Sequence, residues 1–102
     1  MNKYDLEERL IDFSILIIGI VNEMPNTKAE NHLSGQIVRS GTSVSLNYGE
    51  AQSAESRRDF IHKMKIILKE LRESLISLKI IYKCKLYKTE NKIIQAKTEN
   101  NE

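Results

Sequence analysis

The chain has little of what makes turns, cross-links or membrane spans. Its 102 residues contain one proline, four glycines, one cysteine and no tryptophan. Scarce Pro and Gly leave few places for tight turns, which argues against a many-stranded β fold. The lone cysteine, Cys84, excludes an internal disulfide framework and fits a reducing compartment. The longest apolar run, Ile15 to Val21, falls far short of the roughly 20 residues that span a bilayer. Near the N-terminus stand Asp5, Glu7 and Glu8, where a secretory signal needs positive charge. These absences predict a cytoplasmic protein with no membrane partner.

Chemistry-bearing clusters are equally sparse. His32 and His62 lie far apart with no grouped cysteines, so no metal site is expected. Gly35, Gly41 and Gly49 fit neither standard phosphate-loop spacing, and no cofactor is expected. Cys84 has no histidine beside it to act as a base. Glu50 and Glu73 stand on successive predicted helices, where two carboxylates could meet and serve acid–base or metal chemistry. Neither histidine has a glutamate three residues before it, as a di-iron bundle requires. A non-enzymatic protein is therefore the favoured reading, with a metal or hydrolytic enzyme using Glu50 and Glu73 a distant rival.

What is present is helix. Charged residues make up 29% of the chain, mostly Lys and Glu, and both are good helix formers. A first helix is predicted over 3–24 from Leu6, Leu10, Phe13, Ile17, Ile20 (or Val21) and Met24 at three- and four-residue steps. Ile11, Ile15, Leu16 and Ile18 widen its apolar surface almost all round, predicting burial on several sides. Pro25 ends it. Thr27 with Glu30 forms a capping-box pattern and opens a second helix over 28–52, with an irregularity expected near Ser34-Gly35. Ile37, Gly41, Val44, Tyr48 and Ala51 form its core seam. Gly41, Ser45 and Gly49 add a row of small residues that admits a close neighbour.

Beside that seam runs a polar one: Gln36, Ser40, Ser43, Asn47 and Glu50. Short neutral side chains are unusual for a solvated face in a Lys/Glu-rich protein. They predict a buried hydrogen-bonded network that fixes packing or register.

Ser56 with Asp59 caps a third helix predicted over 57–88, with Phe60, Met64, Ile67, Leu71, Leu75 (with Ser74), Leu78 and Tyr82 as its core seam. Thr89 and Glu90 allow a short fourth helix over 90–97. The expected fold is a single all-α domain: an up-and-down antiparallel four-helix bundle whose fourth helix is short or truncated.

Charge is divided unevenly. Residues 1–52 hold four basic and seven acidic side chains, while residues 53–102 hold twelve and seven. On the third helix, Arg58, Lys65, Lys69, Arg72, Lys79 and Lys83 fall within an arc of about 80°, at 100° per residue. No acid lies in that arc, and Arg57 adds a seventh cation at the helix start. Such a stripe suits the phosphate backbone of RNA or DNA. With no aromatic interleaved, base stacking is not predicted. The competing reading is a solvated face, or one that meets an acidic protein in an adaptor or structural oligomer.

The run Gln36…Arg39-Ser40-Gly41-Thr42-Ser43-Val44…Asn47-Tyr48…Glu50-Ala51, continued by Asp59-Phe60-Ile61…Lys63-Met64…Leu68-Lys69-Glu70…Glu73, closely resembles the bacterial four-helix bundle protein family. That family includes the proteins encoded by intervening sequences of 23S rRNA genes. The chain is also similar to the accessory variability determinant of diversity-generating retroelements. The resemblance implies a bundle that assembles into a ring, typically a homopentamer, with a basic surface and no established activity. The retroelement relative further implies nucleic acid and a nucleic-acid enzyme such as a reverse transcriptase as partners. Gln36, Arg39, Ser43, Asn47 and Glu50 fall on the family's signature positions, which with Glu73 implies a polar packing network.

Overall fold

The computed structural model describes residues 3–100, with side chains described for residues 5–85. Within them the chain forms three helices: α1 (Lys3–Asn22), α2 (Lys28–Gln52) and α3 (Arg57–Asn100). The architecture is all-α but does not show the expected fourth helix. The stretch that Thr89-Glu90 was expected to open belongs to α3, which runs unbroken through it. Neither Thr nor Glu prevents a helix from continuing, and no Pro or Gly lies between Arg57 and Asn100 to stop it.

Each boundary has a local cause. The α-helical pattern of α1 stops at Asn22, two residues before the predicted end. Glu23 and Met24 instead donate to the carbonyls of Ile20 (3.2 Å) and Val21 (3.1 Å), a tightened 3₁₀ turn. Pro25 forces this, because it disfavours α geometry at the residue before it. Thr27 sits in extended geometry (φ −120°, ψ 163°) and its Oγ1 accepts from the Glu30 amide at 3.2 Å. Ser56 Oγ accepts from the Asp59 amide at 3.0 Å and starts α3. The predicted irregularity at Ser34-Gly35 is not present; α2 is continuous there.

Short connections make α2 antiparallel to both neighbours. Ser14 of α1 meets Gly41 and Ser45 of α2. On the other side Ser40 meets Ser74 and Glu50 meets Lys63 of α3. The α2 seam is buried throughout at Ile37, Gly41, Val44, Tyr48 and Ala51. One core cluster joins Leu10, Val44, Tyr48 and Ile67, and a second joins Ile17, Ile37 and Ile81.

No Cα of α1 comes within 8 Å of one in α3, among the described residues. The two outer helices thus share the core through side chains over α2 without close backbone approach, and two expectations are corrected. Ile11, Ile15, Leu16 and Ile18 are exposed, so α1 is not buried on several sides. Phe60, Leu75 and Tyr82 of the predicted α3 seam are exposed too. Periodicity marked these positions as apolar, but three helices supply no neighbour to cover them.

Candidate nucleic-acid interface

The helix α3 is the element that positions the basic face. Its long, nearly uninterrupted run of helix formers keeps Arg58, Lys65, Lys69, Arg72, Lys79 and Lys83 in one register over about 37 Å. All six are exposed, as is Arg57. None of the six forms an ion pair among the described residues. Near the start of the stripe, Arg57, Arg58, Ile61, His62 and Lys65 line a shallow hollow of about 530 Å³. Ile76 interrupts the cations and is half exposed.

Two acids of α3, Glu70 and Glu73, face α2 instead. Glu70 is buried, and Arg39 Nη1 donates to its Oε2 at 3.2 Å. The other guanidinium nitrogen, Nη2, donates to Glu73. That hydrogen bond holds the Glu73 carboxyl below the usual carboxylate range, and it raises Arg39 further above an already high value. A second ion pair joins Lys63 Nζ to Glu50 Oε2 at 2.6 Å, and the hydrogen bond raises the Lys63 ammonium. Arg39 of α2 and Lys63 of α3 are therefore neutralised in pairs, whereas the outer arc forms no ion pair among the described residues, its Lys69 acting on Glu73 only at a distance.

The predicted polar network is split by this arrangement. Gln36, Arg39 and Glu50 are exposed, and Ser43 and Asn47 are half-buried. Asn47 Nδ2 donates only locally, to Ser43 O (2.9 Å) and Ser43 Oγ (2.8 Å). Glu50 and Glu73 do not meet: each has its own cationic partner, Lys63 and Arg39. In an antiparallel pair, the ten-residue step from Lys63 to Glu73 separates the two by about 15 Å. Among the described residues, no group of three His, Cys, Asp or Glu side chains is placed to hold a metal.

Of the predicted polar seam, Ser40 alone is fully buried and reaches a neighbouring helix, and a second buried polar contact lies at Ser14. Ser14 Oγ donates to the Gly41 carbonyl at 2.8 Å and lies 2.7 Å from Ser45 Oγ. Ser74 Oγ is 2.9 Å from both Ser40 Oγ and the Glu70 carbonyl. Sequence reasoning overlooked Ser14 and the partner role of Lys63, and placed Ser74 in the α3 seam, where it is buried. The available signal was Ser14 itself, a lone hydroxyl inside the apolar run of α1 and facing the small-residue row of α2.

A family model described as 23S rRNA-intervening sequence protein matches residues 2–102. The chain belongs to the 23S rRNA-intervening sequence protein family. Among solved structures, this family member is similar to a protein of unknown function from the S23 ribosomal protein family of Bacteroides thetaiotaomicron VPI-5482. The two share 34% identity with a TM-score of 0.75, over 82% of this chain and 75% of the other. A search of curated proteins finds no match. Among the described residues of this chain, no helix is long and apolar enough to cross a membrane.

Proposed function

We propose that this chain is a non-catalytic, self-assembling helical module that binds RNA or DNA phosphate through the basic face of α3. One observation carries the reading: six exposed cations share one arc and lie outside the ion pairs that occupy Arg39 and Lys63. A straight stripe of about 37 Å matches roughly one turn of a duplex, 34–36 Å. Neutralising phosphates releases counterions, so affinity falls steeply with salt and depends little on sequence.

Fluorescence anisotropy with labelled single- and double-stranded RNA and DNA tests this. Arg58→Glu, Lys69→Glu and Lys83→Glu together reverse three cations of the arc. The variant is expected to bind at least tenfold more weakly at low salt. Its slope of log affinity against log salt should be shallower by about 2–3. No binding of any of the four probes by the wild-type chain at low salt rejects the reading. For self-assembly the implied homopentamer sets the expectation, and light scattering measures the count.

A further inference from the structure

We infer that assembly joins unlike faces: the outer face of α1 of one copy docks on the apolar row of α3 of the next. This rests on the self-assembly reading, adds which surfaces meet, and in the assembly leaves Arg58, Lys69 and Lys83 of the basic arc for phosphate. Written as heptads, α3 carries Ile61, Leu68, Leu75 and Tyr82 at one seam position and Met64, Leu71 and Leu78 at the other. The second set is half-buried against the core. The first is left open, with Leu68 63%, Leu75 53% and Tyr82 64% exposed. The seam is thus covered on one side only. Between the outer helices, Ile20, Leu78, Ile81, Tyr82 and Lys85 line an open cavity of about 260 Å³.

The edge of that seam selects the occupant. The position following each half-buried seam residue is Lys65, Arg72 or Lys79. A wholly basic edge repels a second α3 laid against it, since like charges at such positions oppose pairing. It calls for an apolar helix with acids along one side. The outer face of α1 has that chemistry. Ile11, Ile15 and Ile18 are exposed there, with Glu8 and Asp12 exposed beside them. Ile11 and Ile18 stand one heptad apart, about 10.5 Å, as Leu68 and Leu75 do. One chain therefore carries both halves of a complementary contact on separate surfaces. Such a heterologous contact repeats from copy to copy and closes into a ring when its rotation permits.

The test is a charge exchange on the full chain without nucleic acid, read as mass by light scattering. Lys65→Glu with Arg72→Glu should shift the assembly toward the 11.8 kDa single chain. Glu8→Lys with Asp12→Lys should do the same. All four substitutions in one chain should restore the wild-type mass, which also shows that the chain still folds. Leu68→Glu with Leu75→Glu should dissociate it with no charge partner able to rescue. An assembly whose mass none of these substitutions changes, or whose loss the four-fold exchange fails to repair, overturns the docking inference alone. A wild-type chain that runs as a single copy at all concentrations overturns the inference and the self-assembly reading together.

Discussion

The two flanks of α2 solve the same packing problem with opposite chemistry. Toward α1 the contact is small and uncharged. Ser14 bonds to the Gly41 backbone, and a Cβ at position 41 would lie 2.9 Å from Ile17 Cγ1. Toward α3 the buried Ser40–Ser74 contact is flanked by long ion pairs, Arg39 with Glu70 and Glu73, and Lys63 with Glu50. Close backbone contact is held by dispersion and steric fit, which fail within fractions of an ångström. Long charged side chains span a wider gap and re-aim when disturbed. The first flank is therefore stiff and intolerant, and the second forgiving and sensitive to pH.

The largest effect should come from breaking the stiff flank. Gly41→Val forces side-chain carbon into fully buried Ile17 and should cost about 2–3 kcal/mol through overpacking. Gly41→Ala regains about 1 kcal/mol of helix propensity, so its net loss should be smaller. Urea unfolding followed by circular dichroism at fixed protein concentration measures both. A lower midpoint with unchanged slope is expected. If Gly41→Val unfolds at the wild-type midpoint, the close α1–α2 contact is not limiting.

A smaller effect should follow at the buried hydroxyls between α2 and α3. Ser74→Ala removes a group that reaches both Ser40 and the Glu70 carbonyl, and should cost about 1 kcal/mol. Adding Ser40→Ala should cost less than it does alone, because the partner left unpaired by the first change is then removed. Strict additivity in the double-mutant cycle would mean that the two hydroxyls do not interact.

Parts of this contrast could be read from sequence. The seam Ile37, Gly41, Val44, Tyr48 and Ala51 was legible because four-three spacing fixes one face of a helix, and that face is buried. Pro25 and the caps Thr27 and Ser56 were legible because their effects are local. The polar row of α2 was legible only in part: Ser40 is buried against Ser74, while Asn47 bonds within its own helix, for a physical reason. Hydroxyls and amides bond as readily to their own helix as to a neighbour, as Asn47 does to Ser43. Spacing cannot separate those cases, nor can it show that Arg39 reaches two acids on α3. The exposure of Ile15, Leu68 and Tyr82 was hidden for a different reason. Periodicity reports which face is apolar, and the number of neighbouring helices decides whether that face is covered.

The smallest effect, and the one that sharpens the contrast most, is the pH dependence of the charged flank. The Arg39 hydrogen bond lowers the folded Glu73 pKa, so the pair stabilises the fold above the unfolded glutamate value of about 4.3. That contribution is lost as pH falls through the lower folded value. The Glu50 hydrogen bond raises the folded Lys63 pKa. Its contribution is complete below the unfolded lysine value of about 10.4 and is lost as pH rises through the folded one. The Arg39 pair therefore acts on the acid limb of the stability profile, and the Lys63 ammonium adds a loss on the alkaline limb. Arg39→Gln should flatten the acid limb and leave the alkaline limb intact, while Lys63→Gln should flatten the alkaline limb. Both changes should be modest because these side chains remain largely solvated, and both should shrink in high salt. The uncharged α1–α2 flank offers the control: Ser45→Ala should displace the whole profile vertically without changing either limb. Urea midpoints measured from about pH 2.5 to about pH 11.5 resolve the three outcomes, because the losses fall below the unfolded glutamate value and above the unfolded lysine value. If Arg39→Gln also displaced the alkaline limb, the two ion pairs would be a single coupled network rather than separate supports along α3.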